Sequence, residues 1–89
     1  MKARCHVIIS GKVQGVCFRS NTMDMATALR LNGWVRNLAN GNVEAVFEGE
    51  KESISKVLDF CRAGPSSADV GCVEIKWEPC EDLKGFSVR

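Results

Sequence analysis

The sequence predicts an α+β domain in which one sheet carries two helices on one face. Two observations predict it. Several short stretches alternate apolar and polar residues with a period of two, and two others place apolar residues at helical spacing. Along the chain they follow the order strand, helix, strand, strand, helix, strand. A chain of 89 residues can bury a single core, so we expect residues 1–89 to form one domain.

The first strand and the first helix are predicted before residue 33. Residues 3–10 predict a half-buried strand, because alternate side chains are apolar. These apolar residues are Cys5, Val7 and Ile9. Residues 20–31 predict a helix with a core-facing stripe at positions i, i+3, i+4 and i+7. The stripe consists of Thr22, Met25, Ala26 and Leu29. Asn32 and Gly33 tolerate left-handed dihedral angles, so we expect them to end this helix.

The stretch GWVRNLANGNVEAVFEG predicts a β-hairpin. The pair Asn40-Gly41 lies between two runs of alternating apolar residues, which is a strong short-range signal for a hairpin turn. We therefore expect strands near residues 33–39 and 42–48.

The second half of the chain predicts one more helix and one or two strands. Four apolar residues recur at helical spacing, and Gly64-Pro65 then prevents the helix from continuing. These four are Ile54, Val57, Leu58 and Cys61. A strand follows from the alternation of Val73, Ile75 and Trp77. Phe86 and Val88 could add a short C-terminal fifth strand.

This element order indicates a ferredoxin-like βαββαβ two-layer sandwich, with an antiparallel sheet and both helices on one face. In that topology the first and second strands run parallel, with the third strand between them. Their carboxyl ends therefore meet at one edge of the sheet. Two strand spacings would place the loop at residues 11–18 roughly 10 Å from Asn37 at the end of the second strand. Side chains from the two elements could converge on a phosphate-sized group.

The segment SGKVQGVCFRSN, residues 10–21, predicts an anion cradle. Arg19 falls at the amino end of the first helix, where a cation costs about 0.3 to 1 kcal/mol unless an anion compensates it. The nearest acid in the sequence is Asp24. Gly11 and Gly15 let the backbone turn and direct successive N–H groups inward. The alternative is that the glycines only make a tight turn and Arg19 points to solvent. The segment does not match the Walker A pattern.

Composition limits the partners. Twelve basic and eleven acidic residues give a net charge of +1, so no global field favours nucleic acid or an anionic membrane. The apolar run at residues 7–9 is too short for a signal peptide or a membrane span, and we predict a cytoplasmic protein. Five cysteines without a C-x-x-C pair, and one histidine, argue against a metal site. We expect all five thiols to be reduced, and one disulfide is the alternative that the sequence leaves undecided.

The stretch GKVQGVCFR, followed by GWVRNLANGNVEAVFEG, resembles the two signatures of the acylphosphatase family. Similarity in GPSSADV and FSVR extends the resemblance over essentially the whole chain. The resemblance implies hydrolysis of acyl phosphates to a carboxylate and inorganic phosphate, without metal or cofactor. It also implies that Arg19 binds the phosphate, that Asn37 holds the attacking water, and that the loop supplies backbone amides. The loop residues are Gly11, Lys12, Val13, Gln14, Gly15, Val16, Cys17 and Phe18. As a departure, Arg30 stands where the family often has glycine at the end of the first helix.

This chemistry explains why the segment needs no acid. A departing carboxylate is a weak base with a reference pKa near 4, so no general acid has to protonate it. Phosphoryl transfer depends largely on positioning and electrostatic stabilisation, which amides and one guanidinium can supply. We expect a phosphate oxygen to accept the proton of the water. We also expect inorganic phosphate to act as product and inhibitor, and the protein to be a monomer.

Other interpretations remain open at the level of the sequence. His6 could be a base, but its place on the first strand favours a structural role. Cys17 could be an oxidisable thiol with a lowered pKa, but a small buried hydrophobe is the simpler interpretation. The chain could also be a non-catalytic ferredoxin-like module that binds an anion or another ligand. An RNA-binding sheet is disfavoured, because the first strand has no aromatic residue on which bases could stack.

Overall fold

The computed structural model describes residues 1–15, 17–66 and 68–89. Its elements follow the predicted βαββαβ order, and the short fifth strand is present as well. They are β1 (Lys2–Lys12), α1 (Phe18–Ala28), β2 (Asn32–Asn37), β3 (Val43–Glu50), α2 (Lys51–Ala63), β4 (Asp69–Glu78) and β5 (Phe86–Val88).

The five strands form one sheet in the order β4-β1-β3-β2-β5. Strand β3 pairs antiparallel with both β1 and β2, so β1 and β2 run parallel, as the topology argument predicted. Strand β5 pairs in parallel with β2, which makes the sheet mixed where the sequence indicated an antiparallel one. The parallel pairing places the C-terminal residues beside the end of β2.

The core lies between the sheet and the two helices. Helix α1 packs on β2 and β5, helix α2 packs on β1, β3 and β4, and the helices contact each other. The rings of Phe18 and Phe60 bridge the two helices, with their centroids 6.0 Å apart. The apolar faces predicted for β1 and α2 are buried completely or nearly so. These residues are Cys5, Val7, Ile9, Ile54, Val57, Leu58 and Cys61.

Helix α1 begins two residues earlier than predicted and ends at Ala28. The expectation that Asn32 and Gly33 end it is wrong, because both lie in β2. Instead Arg30 adopts a left-handed conformation with φ 58°. The Leu31 amide donates to Ala26 O at 2.8 Å and the Arg30 amide to Thr27 O at 3.0 Å, which is a Schellman motif. Arg30 therefore occupies the position that glycine favours.

A buried ion pair on the other face of the sheet fixes the connection between β4 and β5. Arg4 Nη1 donates to Glu48 Oε2 at 2.7 Å, and the two residues are only 8% and 4% exposed. Glu48 also accepts the amides of Glu81 at 2.8 Å and Leu83 at 2.9 Å. Burial alone would raise the pKa of Glu48, but these hydrogen bonds outweigh it and the pKa is lowered.

The cysteines divide into a buried and an exposed group. All five are free; Cys5 and Cys61 lie in the core, and burial raises the pKa of each to about 12. Cys17, Cys72 and Cys80 are exposed.

No helix in the described part of the chain is long and apolar enough to cross a membrane.

Candidate active site

The two predicted catalytic residues, Arg19 and Asn37, line one pocket at an edge of the sheet together with part of the predicted loop. The start of α1, the end of β2 and the end of β5 surround a pocket of about 170 Å³. Its described lining residues are Val13, Gly15, Cys17, Phe18, Arg19, Ser20, Asn37 and Val88. Arg19 and Asn37 thus face the same small space from different elements. A larger cleft of about 760 Å³ lies between α2 and β4, and no predicted site residue lines it.

The loop is shorter than the predicted segment 11–18, because β1 continues to Lys12. Gly11 lies at a bulge where the register between β1 and β4 shifts. It has φ 113°, and a Cβ there would lie 2.3 Å from Asp69 O. Glycine is therefore required at position 11 because the backbone of β4 lies too close for a Cβ. Gly11 belongs to β1 and not to the loop. Lys12 also pairs with Asp69 in the sheet.

The remaining loop residues connect β1 to α1 between two buried anchors. Val13 and Phe18 are each 1% exposed and belong to the core. Gly15 has φ 73°, a left-handed conformation that glycine adopts without steric cost, so it is the glycine that turns the loop. Val16 lies outside the described residues.

The first turn of α1 has no acidic group to neutralise its positive end. Cys17 is the N-cap residue, with φ 60°, and forms no side-chain hydrogen bond to the helix. Cys17 is also exposed, so its interpretation as a small buried hydrophobe is wrong. The first turn contains no Asp or Glu. Backbone amides at this helix start can therefore bind an anion in the pocket.

Arg19 is the second residue of α1 and lines the pocket. Its Nη1 donates to the main-chain oxygen of Arg89 at 3.4 Å. No ion pair among residues 1–15, 17–66 and 68–89 includes Arg19. Arg19 as a residue is half-buried and lines the pocket at the start of α1, which favours the anion cradle over the alternative in which Arg19 only points to solvent.

Asn37 is the last residue of β2 and carries an unpaired oxygen. Its Oδ1 is buried and has no hydrogen-bond partner within the described residues. Buried polar atoms are nearly always paired, so an unpaired one in a pocket points to a ligand or a reacting group. An amide oxygen can accept an O–H from a water molecule, which is the role that the resemblance implies for Asn37.

Gln14 connects the loop to the hairpin between β2 and β3. Its Nε2 donates to Leu38 O at 2.7 Å and to Asn42 O at 2.8 Å. The sequence grouped Gln14 with the residues that supply backbone amides and gave no sign of this side-chain contact. Ser20 and Val88 were also missed. Val88 reaches the pocket only through the parallel pairing of β5 with β2, which no local pattern encodes.

His6 has a structural role, as its position on β1 predicted. Its Nε2 lies 2.6 Å from Glu44 Oε2, and Arg36 Nε donates to the other oxygen of Glu44 at 2.5 Å. Burial alone would raise the pKa of Glu44, but the contacts with His6 and Arg36 lower it. His6 does not line the pocket. Within the described residues, no three His, Cys, Asp or Glu side chains are grouped so that they could hold a metal ion.

Comparison with known proteins places the chain in a family. A family model for acylphosphatase matches residues 5–88. The chain is 49% identical to an acylphosphatase of Roseiflexus sp. (strain RS-1) over 87 residues, which cover 97% of this chain and 94% of that protein. It is 53% identical to an acylphosphatase of Chloroflexus aurantiacus over 83 residues, covering 93% of this chain and 90% of that one. The structure of an acylphosphatase from Coxiella burnetii superposes with a TM-score of 0.95 and 42% identity, covering 99% of this chain and 93% of that chain. The chain therefore belongs to the acylphosphatase family.

Proposed function

We propose that this protein hydrolyses acyl phosphates, with Arg19 and Asn37 as the residues that act on the substrate. One observation carries the proposal: Arg19, which forms no ion pair within the described residues, and Asn37, whose buried Oδ1 has no partner there, line the same pocket. Its volume of about 170 Å³ suits a phosphoryl group together with one water molecule. The acyl part of the substrate then extends outside the pocket and contributes little to recognition.

Arg19 and backbone amides hold the phosphoryl group. A guanidinium presents two parallel N–H groups to phosphate oxygens, and such charge-assisted hydrogen bonds are stronger than neutral ones. The amides of the loop and of the first turn of α1 add further donors, and the helix dipole favours negative charge at the same place. These donors are fixed in advance and stabilise charge on the phosphoryl oxygens as the reaction proceeds.

Asn37 holds the attacking water through its Oδ1. The water oxygen forms a bond to phosphorus while the bond from phosphorus to the acyl oxygen breaks, and the carboxylate leaves with the electron pair. A phosphoryl oxygen accepts the proton of the water. The carboxylate needs no proton, because its conjugate acid has a pKa near 4. The site therefore requires neither a general acid nor a protein base.

The behaviour of inorganic phosphate follows from the same site. Inorganic phosphate is both product and inhibitor, because it carries the group that the cradle binds. We infer that the protein is a monomer in the cytoplasm and needs no metal or cofactor. Size-exclusion chromatography at several concentrations tests the oligomeric state.

The decisive experiment measures the release of benzoate from benzoyl phosphate in the presence of a chelator. Wild type should turn over, and Arg19→Ala and Asn37→Ala should each lose roughly 10²-fold or more in kcat/KM. Arg62→Ala removes a similar charge from α2, outside the pocket, and should retain activity. Binding of phosphate without turnover in the wild type would favour the non-catalytic module. Unchanged activity in both site variants would place the reaction elsewhere.

A further inference from the structure

We propose that Gln14 is a positioning residue that holds the water-orienting Asn37 in register with the phosphate cradle. The inference rests on the proposed function and adds a residue to it. Gln14 is not among the described residues that line the pocket, so it acts through other groups.

The two halves of the site belong to different parts of the fold. The cradle is anchored by β1 and α1, through the buried side chains of Val13 and Phe18. Asn37 belongs to β2 and directly precedes the hairpin loop at residues 38–42. A direct contact between the β1–α1 loop and this hairpin would help to hold Asn37 at a fixed distance from the cradle, as in-line attack requires.

The Gln14 side chain supplies that connection. Its Nε2 donates to the main-chain oxygens of Leu38 and Asn42, at 2.7 and 2.8 Å. The side-chain amide nitrogen of glutamine carries two hydrogens, and these two contacts use both of them. Leu38 O also accepts the Gly41 amide at 3.2 Å, and Asn42 O accepts the Leu38 amide at 2.8 Å. Gln14 therefore binds both carbonyl groups that accept the hydrogen bonds of the hairpin loop. One of them belongs to Leu38, the residue that directly follows Asn37.

Few side chains could replace Gln14 in this position. The two carbonyl oxygens require two N–H donors, which one side-chain amide supplies. The side chain must also be long enough to reach from the β1–α1 loop to the hairpin. Methionine has a similar length and shape but no donor. Glutamate has the same shape, but its carboxylate would face two carbonyl oxygens and could donate only when protonated. These two substitutions separate the loss of the hydrogen bonds from the loss of packing.

The test is a double-mutant cycle on benzoyl phosphate hydrolysis with Gln14→Met and Asn37→Ala. Gln14→Met should lower kcat about tenfold, because a shift of the hairpin by a fraction of an ångström misplaces the water. The inhibition constant of inorganic phosphate should change less than about threefold, since the cradle stays anchored by β1 and α1. In the Asn37→Ala background, Gln14→Met should change kcat less than about twofold, because the group that it positions is gone.

A matched control removes a hydrogen bond within the same hairpin but leaves the contact between the hairpin and the β1–α1 loop intact. Asn40 Oδ1 accepts the Asn42 amide at 3.0 Å. Asn40→Ala should keep kcat within about twofold of wild type. An equal loss of kcat in Asn40→Ala would mean that general weakening of the hairpin explains the effect, and it would overturn the inference.

A second variant keeps the test informative where Gln14→Met folds poorly. Gln14→Glu should lose activity at neutral pH and regain part of it, relative to wild type, as the pH falls and the carboxyl group becomes a donor. A pH profile parallel to that of wild type would contradict the inference. So would independent, multiplicative effects of Gln14→Met and Asn37→Ala. If Arg19→Ala and Asn37→Ala lose activity while Gln14→Met does not, only this inference fails. An inactive wild type would end both proposals.

Discussion

Arg19 and Asn37 line one pocket although they belong to a helix and to a strand that does not adjoin β1 in the sheet. They meet because β1 and β2 run parallel with β3 between them. The loop that leaves β1 and the last residue of β2 therefore reach the same edge. The guanidinium of Arg19 belongs to α1 and the side-chain amide of Asn37 belongs to β2. Each side chain can therefore be substituted without changing the element that carries the other.

The first prediction separates the binding of phosphate from the chemical step. Arg19→Ala should abolish inhibition by inorganic phosphate, because it removes the guanidinium at the cradle. Asn37→Ala should lower kcat while the affinity for phosphate changes less than about threefold, since the amides and Arg19 remain. Isothermal titration with phosphate and inhibition kinetics measure the two effects. Equal loss of phosphate affinity in both variants would contradict this division of roles.

The second prediction concerns Gly11 and Gly15, which both have positive φ but different surroundings. Gly11→Ala should lower the free energy of unfolding by about 3 kcal/mol, because its Cβ would overlap the backbone of β4 as well as strain the dihedral angle. In Gly15→Ala, no described residue other than the chain neighbours lies within 4 Å of the new Cβ, so this variant should cost about 1 kcal/mol. Urea denaturation compares the two variants. Similar costs would show that contact with β4 adds nothing at Gly11.

The third prediction concerns the end of α1. Arg30→Gly should raise the free energy of unfolding by about 0.5 to 1 kcal/mol, because glycine adopts φ 58° without the steric cost that a Cβ carries. Arg30→Ala removes the same charge but keeps the Cβ, so it should not stabilise the protein. Thermal and urea denaturation measure both. Equal stabilisation by the two variants would assign the effect to charge instead of backbone conformation.

The fourth prediction is a pH dependence of stability at Glu48. The pKa of Glu48 is lowered in the folded protein from an ordinary value of 4.5, so its carboxylate stabilises the fold above that pH. The contribution is lost as the pH falls below 4.5 towards the lower folded value. Glu48→Gln should cost about 2 to 4 kcal/mol at neutral pH, because it removes the most buried of the three carboxylates that pair with Arg4 and leaves only the more exposed Glu78 and Glu81.

The stability of Glu48→Gln should also fall less steeply than that of wild type between about pH 5 and pH 3. Glu81 provides the control, because it lies 3.6 Å from Arg4 but is largely exposed. Glu81→Gln should cost less than about 1 kcal/mol. Parallel pH profiles for wild type and Glu48→Gln would show that the titration of Glu48 does not drive acid unfolding.

Local patterns predicted the element order, the hairpin at Asn40-Gly41 and the buried stripe of α2, because periodicity and turn preference act over a few neighbouring residues. The place where α1 ends was not predictable in this way. A left-handed residue is usually glycine, and Arg30 carries no such signal. The helix instead ends through backbone hydrogen bonds that Ala26 and Thr27 accept.

The site was predictable in part. The resemblance indicated Arg19 and Asn37, and the topology argument placed them at one edge of the sheet. The tertiary contacts of other residues could not be read from the sequence. Gly11 faces Asp69, and Gln14 binds carbonyls of the hairpin, across distances along the chain that no local pattern spans. Only the folded sheet brings these groups together.

Strand β1 has β3 on one side and β4 on the other, and its ladder with β4 joins Arg4 to Glu78. The interior strand β1 thus depends on a partner strand that lies far along the chain, beyond both helices. Closing so long a loop costs entropy before any contact compensates it, so folding should be slow compared with helical bundles of similar length. Until β4 pairs with β1, one edge of β1 stays open to pairing with other chains, so partly folded copies of this protein should associate more readily than the native sheet, in which β1 is paired on both sides.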